Sequence, residues 1–414
     1  MKIAFVSDEL LPLDSYITTS DNVIENFFRK FTELGYKTYF FYIDRGHLKE
    51  EFLNLREHNL KNKVTFYKKF KYKIIKESEI QKQISKTCNE EKINSYFVFS
   101  KCIDFIKLDK KDKKNICMWG MHDDLYPGQV AVYCEKNIIK KIIRFFIYTI
   151  KSYKSFFLNI NRYKKASLVL QPGHYYGKKW KKYLKNKKRI IVIPQSTKDN
   201  YNDVRKDIKP IFFIKDKINI LLAGMPNASL SKGNIFYLTE KIFPLMENNN
   251  ILDHFRFHII GYLENNSLSP LVKACIQKWE KIIKFQGYID DLYSAVFHAD
   301  AIVQICPIVP TIGTRIYEHS SAAPLYILHK NAELMYPELK NNIHCLLGQS
   351  ANDFLEIFTN LYKKNIETAV LKKNLRNLYL SNWNQKKYDI FLNEVLNDFY
   401  SKHNVKNYYS FEIK

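Results

Sequence analysis

Residues 301–324, AIVQICPIVPTIGTRIYEHSSAAP, decide how this chain is read. Ala301 to Cys306 make a short apolar run that reads as a buried strand, and Pro310 to Pro324 follow it with small residues and a helix start carrying Arg315 and Glu318. A strand, a small-residue turn and a helix start are what a phosphate-and-ribose site at the mouth of a parallel sheet requires. There the backbone N–H groups of Gly313 and Thr314 would face an anion, Arg315 would add a fixed cation, and ionised Glu318 would accept from two ribose hydroxyls. The plainer alternative is a helix start with an intrahelical Arg/Glu pair, and the rest of the chain has to choose between the two.

Working outward, Lys217–Gly224 reads as a strand entering the loop Met225–Leu230, which leads to Ser231, Lys232 and Gly233 and a helix from Asn234. Phe255–Gly261, Ile282–Gly287 and Leu325–Leu328 are further strands, with helices at Pro270–Lys281, Asp290–Ala299 and Ala351–Lys363. Strict alternation of this kind predicts a doubly wound domain over 217–384. The beginning of the chain repeats the scheme: a strand at Lys2–Val6, a helix at Asp21–Gly35, then strands at Thr38–Ile43, Lys63–Tyr67, Ser95–Ser100 and Asn115–Trp119. That last strand runs into Gly120, Met121, His122, Asp123 and Asp124, a polar cluster where a parallel strand delivers reactive groups. The expectation is therefore an α/β protein with two Rossmann-like doubly wound domains facing a cleft: 1–195, a linker at 196–216, and 217–384, with a helix at 385–414 crossing back to the first. The loop Asp8–Ser20 lacks the glycine-rich dinucleotide fingerprint, which argues against a conventional NAD site there.

Charge supplies a second theme. With 66 Lys and Arg against 42 Asp and Glu the net charge is +24, and 17 of those cations fall between Lys136 and Arg189, a window without a single carboxylate. Within it, Asn137–Phe157 interleaves Ile and Phe with basic residues at a helical period, the pattern of a helix lying in an anionic membrane interface. Lys140, Lys141 and Arg144 belong to this stretch, and Lys178, Lys179, Trp180, Lys181 and Lys182 form a second cluster in which Trp180 suits the interface. No apolar run is long enough to span a bilayer, and the N-terminus shows no cleavable leader, so the expected location is the cytoplasm, at the inner face of the cell membrane. The seven cysteines are scattered without Cys-x-x-Cys spacing and read as buried thiols rather than metal ligands.

Taken together these stretches resemble the GT-B glycosyltransferases, and the second half is similar to the family 4 retaining enzymes. The resemblance rests on Ser231-Lys232-Gly233, on Gly287-Tyr288-Ile289-Asp290, and on Thr314-Arg315-Ile316-Tyr317-Glu318 running to Pro324, with His122 and Ile191–Pro194 fitting the first domain. It implies that Lys232 and Arg315 hold a donor diphosphate, Glu318 the ribose, residues near Tyr288 the base, and His122 the donor sugar, with Asp123 beside it. Gly233, Gly313 and Thr314 complete the implied donor site. The pattern departs from the family where Pro310 occupies the position of the first carboxylate of its Glu-x7-Glu pair, where Met225 follows Gly224 in place of a common Arg, and where Ile17–Ser20 replace a glycine-rich loop.

The expected activity is sugar transfer from a nucleotide-sugar to a saccharide or lipid-linked acceptor in surface polysaccharide synthesis (capsule or lipopolysaccharide), retaining and without a metal or other cofactor. A nucleotide-sugar epimerase of the same architecture is the competing enzyme. A basic, non-enzymatic nucleic-acid binder is the competing explanation of the charge.

Overall fold

The computed structural model describes residues 1–10, 19–46, 50–107, 115–120, 126–184, 189–193, 199–202, 204–263, 267–308 and 314–400. The chain divides into two compact units, one of 1–122, 155–195 and 386–414 and one of 123–154 and 196–385.

The first unit is built on seven strands: β1 (Lys2–Ser7), β2 (Lys37–Asp44), β3 (Phe66–Lys71), β4 (Ser95–Phe99), β5 (Asn115–Trp119), β6 (Leu168–Pro172) and β7 (Arg189–Ile193). They pair in parallel in the order β3-β2-β1-β4-β5-β6-β7, so the winding reverses between β1 and β4. Strands buried on both faces need no polar alternation, which is why Thr38–Ile43 is buried at every position. The edge is different: β3 begins at Phe66, later than its sequence suggests, and carries Lys68, Lys69 and Lys71, the charged composition that an unpaired edge tolerates. The helices along this stretch of the chain are α1 (Thr19–Glu33), α2 (Glu50–Lys61), α3 (Glu77–Glu90), α4 (Tyr126–Tyr133), α5 (Ile138–Lys165) and α6 (His174–Tyr183), of which α4 and α5 up to Lys154 belong to the second unit. The core is a lattice of rings in which Phe5 stacks on Phe40 at 5.0 Å and Phe27 packs on Phe97 at 4.4 Å.

The second unit carries six parallel strands, β8 (Ile218–Ala223), β9 (Phe255–Ile260), β10 (Ile283–Gly287), β11 (Ala301–Gln304), β12 (Tyr326–His329) and β13 (Leu346–Gly348). Their order is β10-β9-β8-β11-β12-β13, with the reversal between β8 and β11. The helices are α7 (Ser229–Tyr237), α8 (Phe243–Asn248), α9 (Pro270–Lys278), α10 (Leu292–His298), α11 (Thr314–Ser320), α12 (Ala332–Met335), α13 (Ala351–Tyr362) and α14 (Thr368–Leu378). The last helix, α15 (Gln385–Tyr400), packs its Leu392, Val395 and Phe399 into the aromatic core of the first unit, and the Tyr400 hydroxyl donates to the Tyr96 carbonyl at 2.8 Å.

Two boundaries differ from the sequence reading for a definable reason. β11 stops at Gln304 because the N–H groups of Ile305 and Cys306 leave the ladder and donate to the Asn234 side-chain oxygen, at 2.9 and 2.7 Å. In turn α7 begins at Ser229 rather than Asn234, which puts Lys232 and Gly233 inside a helix instead of a loop.

Candidate nucleotide site

Three adjacent strands of the second sheet finish in glycine. Gly224 follows β8, Gly261 follows β9, and Gly287 closes β10, with φ of 135°, 155° and 83°. All three lie in the region that only glycine occupies without strain. The Gly224 N–H bonds the Ile260 carbonyl at 2.7 Å and the Gly261 N–H the Gly287 carbonyl at 2.8 Å, so the ends are laced into one shelf without side chains. A Cβ on Gly261 would strike the Gly224 carbonyl, and a Cβ on Gly224 would strike the Arg315 guanidinium. At Gly224 and Gly261 the shelf is bare because Arg315 and main chain fill the space that a side chain would need, while at Gly287 the space is open and the positive φ alone favours glycine.

Arg315 comes from the first turn of α11, beyond the β8–β11 reversal. Its Nη1 donates to the Ala223 carbonyl at 2.9 Å, and its own carbonyl accepts from the Tyr326 hydroxyl at 3.3 Å. Both anchors fix a cation at the end of β8, where burial lowers its pKa and the Glu318 carboxylate opposes that shift. Glu318 lies one turn along α11, half-buried, and accepts from the Tyr293 hydroxyl of α10 at 2.9 Å. Burial raises its pKa, while the Tyr293 bond and the Arg315 charge pull it down. Arg315 also lines a pocket with Ser231, Asn234, Gln304 and His319. His319 is buried with Nδ1 unpartnered; burial first and then Arg315 bring its pKa to about 3, so the ring is neutral at physiological pH.

No protein-family model matches the chain, and no curated protein matches it in sequence. Solved structures match it nearly end to end. Sucrose-phosphate synthase from Thermosynechococcus elongatus superposes with a TM-score of 0.65 at 11% identity, covering 97% of this chain and 99% of that one. HepE of Anabaena, solved in complex with UDP, gives 0.61 at 12% identity, covering 96% and 100%. A Listeria monocytogenes protein assigned as a UDP-N-acetylglucosamine 2-epimerase gives 0.55 at 10%, covering 98% and 97%. The fold is GT-B.

Within this GT-B chain the structure brings Arg315 and Glu318 together at the glycine shelf and leaves exposed Tyr288 beside it, immediately after Gly287. Lys232 is placed differently. It sits half-buried in the first turn of α7, its N–H already bonded to the Ala228 carbonyl at 2.9 Å, and its charge acts on Cys134, whose thiol burial pushes up to about 12. Gly233 is a packing glycine, since a Cβ there would strike the Cys306 sulfur. Thr314 opens α11. His122, Asp123, Pro310 and Gly313 lie outside the described residues. Among the described residues no three His, Cys, Asp or Glu side chains are grouped as metal ligands. Sequence reasoning passed over the shelf and Tyr293, although the three strand-final glycines were legible as a repeated signal.

The basic window divides in two. The first half of α5 exposes apolar side chains around its circumference, with Ile139 at 67%, Phe146 at 60% and Ile150 at 71%, and Lys140 and Arg144 are exposed among them. Arg144 pairs with Glu135 at 2.9 Å. Trp180 contradicts its expected place at a membrane surface. It is buried between the rings of Tyr163 and Phe156, with centroids at 4.6 and 5.8 Å, because α6 turns its aromatic face inward against the end of α5. Lys178 and Lys182 remain exposed, and Lys141, Lys179 and Lys181 are half-buried. Among the described residues no helix is long and apolar enough to cross a membrane.

Proposed function

We propose that the protein is a glycosyltransferase that moves a sugar from a nucleotide-sugar donor to a saccharide or lipid-linked acceptor in surface polysaccharide synthesis at the cytoplasmic face of the membrane, with retention of configuration. The observation that carries this is the glycine shelf with Arg315 pinned beneath it and Glu318 one helical turn away. A pyrophosphate needs close approach to backbone and a cation that does not have to reorganise, and a ribose needs a carboxylate at fixed distance. As the glycosidic bond to the diphosphate breaks, negative charge grows on the leaving group, and Arg315 would stabilise it without a metal, with Lys232 assigned the same role on sequence grounds alone. His122 and Asp123 keep their proposed catalytic roles on sequence grounds. The nucleotide complex of HepE supports the same choice of ligand class.

A thermal-shift panel of UDP, GDP, CMP and dTDP tests the site. A ligand at a hundred times its Kd adds about 2.7 kcal/mol of stability, so one nucleotide should raise Tm clearly, and a flat response to all four removes the reading. Glu318→Ala and Lys232→Ala should each abolish transfer while preserving the fold. Nucleotide-sugar epimerisation without an acceptor would replace the transferase by the epimerase.

The exposed first half of α5 is proposed to dock on anionic lipid. A continuous apolar surface of this kind is unusual on a water-facing helix, and each cation near an anionic bilayer contributes about 1 kcal/mol. Sedimentation with phosphatidylglycerol vesicles should carry the wild type down and leave a Lys140→Gln, Lys141→Gln, Phe146→Ser variant in solution. Equal sedimentation of both, or preference for RNA over vesicles, overturns the lipid assignment.

A further inference from the structure

Glu318 is held by more than its own helix. The Tyr293 hydroxyl that donates to its Oε1 belongs to α10, and α10 is gripped from outside. Asp291, the residue preceding that helix, accepts from the Ser294 N–H at 3.1 Å and pairs with Arg205. The Arg205 N–H donates to the Ser294 hydroxyl at 2.9 Å, and the Arg205 carbonyl meets the His298 ring nitrogen at 2.9 Å. Both ends of α10 are therefore fixed by one residue of the segment that precedes β8. The same segment reaches α11: Asp199 takes a two-pronged ion pair from Arg376, at 2.8 and 2.7 Å, and Arg376 also donates to the Ser321 carbonyl just past α11, at 2.9 Å. Its guanidinium lies over the Tyr201 ring at 4.5 Å, and that ring meets Phe297 of α10 edge-on at 6.2 Å.

We propose that Tyr293 is a positioning residue for the nucleotide's ribose: by holding Oε1 of Glu318 it presents the other carboxylate oxygen to the 2′- and 3′-hydroxyls, and Arg205 with Asp291 braces the helix that carries it. The inference rests on the nucleotide-site reading and adds to it a source of selectivity for an intact ribose diol. A glutamate loses rotamer freedom when it binds, and a carboxylate already held by a neighbouring helix has lost that freedom beforehand. The charge state follows the same logic. The groups facing Glu318 are Arg315 from its own helix, Tyr293 from α10 and Tyr326 from β12. Burial raises the Glu318 pKa, and the Tyr293 bond is the larger of the two influences opposing it. Removing the phenol should therefore raise that pKa further, so that acid neutralises the carboxylate at a higher pH.

The test is calorimetric titration of wild type and Tyr293→Phe with UDP and with 2′,3′-dideoxy-UDP, substituting the corresponding GDP or CMP pair if the thermal panel selects that nucleotide; selection of dTDP, which has no 2′-hydroxyl, would overturn the proposal. Losing one hydrogen bond to a charged group should weaken UDP binding roughly tenfold and leave the dideoxy nucleotide nearly unaffected. The UDP affinity of Tyr293→Phe should also begin to fall at a higher pH than that of wild type. Equal weakening toward both nucleotides, or an unmoved pH profile, would reduce Tyr293 to a packing residue and overturn the proposal. If Tyr293→Phe does not fold, the double variant Ser294→Ala, His298→Ala, which removes both side-chain partners of the Arg205 main chain, reads the same ratio, and an unchanged preference for the diol there is equally decisive. Failure of wild type to bind any of the four nucleotides removes the site itself and this inference with it. Binding by wild type with unaltered discrimination in the variants removes the inference alone.

Discussion

The two sheets end their central strands in opposite ways. In the first unit β1 ends at Ser7, which accepts the Glu9 N–H at 2.9 Å, and the next residue, Asp8, pairs with Arg45 beyond β2 at 2.7 Å. Asp44 accepts the Gly46 N–H at 2.8 Å, and Arg45 also lies over the rings of Tyr72 and Phe105, at 5.3 and 6.0 Å. Here the strand ends are furnished with side chains that hold one another. In the second unit β8, β9 and β10 end in glycine, so these strand ends carry no side chain of their own. Bare backbone recognises what a class of ligands shares, such as a pyrophosphate, whereas side chains recognise what distinguishes its members. The contrast fits a donor side built on a common nucleotide and a more individual surface elsewhere.

The sharpest way to break the contrast is to furnish the bare shelf. Gly261→Ala should have the largest effect on the fold, because its Cβ meets the carbonyl of Gly224, which cannot rotate away, in addition to its positive φ. Backbone strain and overpacking each cost about 1–3 kcal/mol, so a loss of about 3 kcal/mol or more is expected in chemical denaturation. Gly224→Ala comes next and strikes a different property. The Cβ meets the end of a side chain, so the fold suffers less, but the displaced group is Arg315. Nucleoside diphosphate affinity should fall by about 10- to 150-fold, the worth of a hydrogen bond to a charged group. Calorimetry that finds Gly224→Ala binding as wild type would remove Arg315 from the site.

Much of this arrangement could be read from the chain, and the exceptions have physical causes. Parallel strands buried on both faces leave unbroken apolar runs, so Asn115–Trp119 and most of the second sheet were legible within a residue or two. Arg315 and Glu318 stood out because a strand followed by small residues and a helix start is a local pattern. The start of α7 was hidden because Asn234 makes its decisive bonds to Ile305 and Cys306, some seventy residues away. Trp180 was misplaced because the lysines around it are local while the Tyr163 and Phe156 rings that cover it are not. Tyr293 carried no signal at all, since its importance lies in a partner on another helix.

On the furnished side, Arg45→Met should cost about 1 kcal/mol of stability, through an ion pair still partly open to solvent and a modest cation–π contact. Nucleotide affinity should not change, and a fall of tenfold or more would show that the two sets of strand ends do not divide their work as proposed.

The smallest effect isolates what glycine itself contributes. Gly287 has φ of 83°, but a methyl group added there would meet nothing within 4 Å, unlike at its two neighbours on the shelf. Gly287→Ala therefore keeps the backbone penalty and drops the collision, and roughly 1 kcal/mol of destabilisation is expected with nucleotide affinity unchanged. If instead it weakens binding as strongly as Gly224→Ala, the shelf must act through close approach of the ligand at β10 as well as through Arg315. In that case the base-proximal role expected for the chain around Tyr288 extends onto the strand end itself. The three alanine variants thus separate backbone strain, a blocked main chain and a displaced cation, three causes that a single substitution would leave confounded.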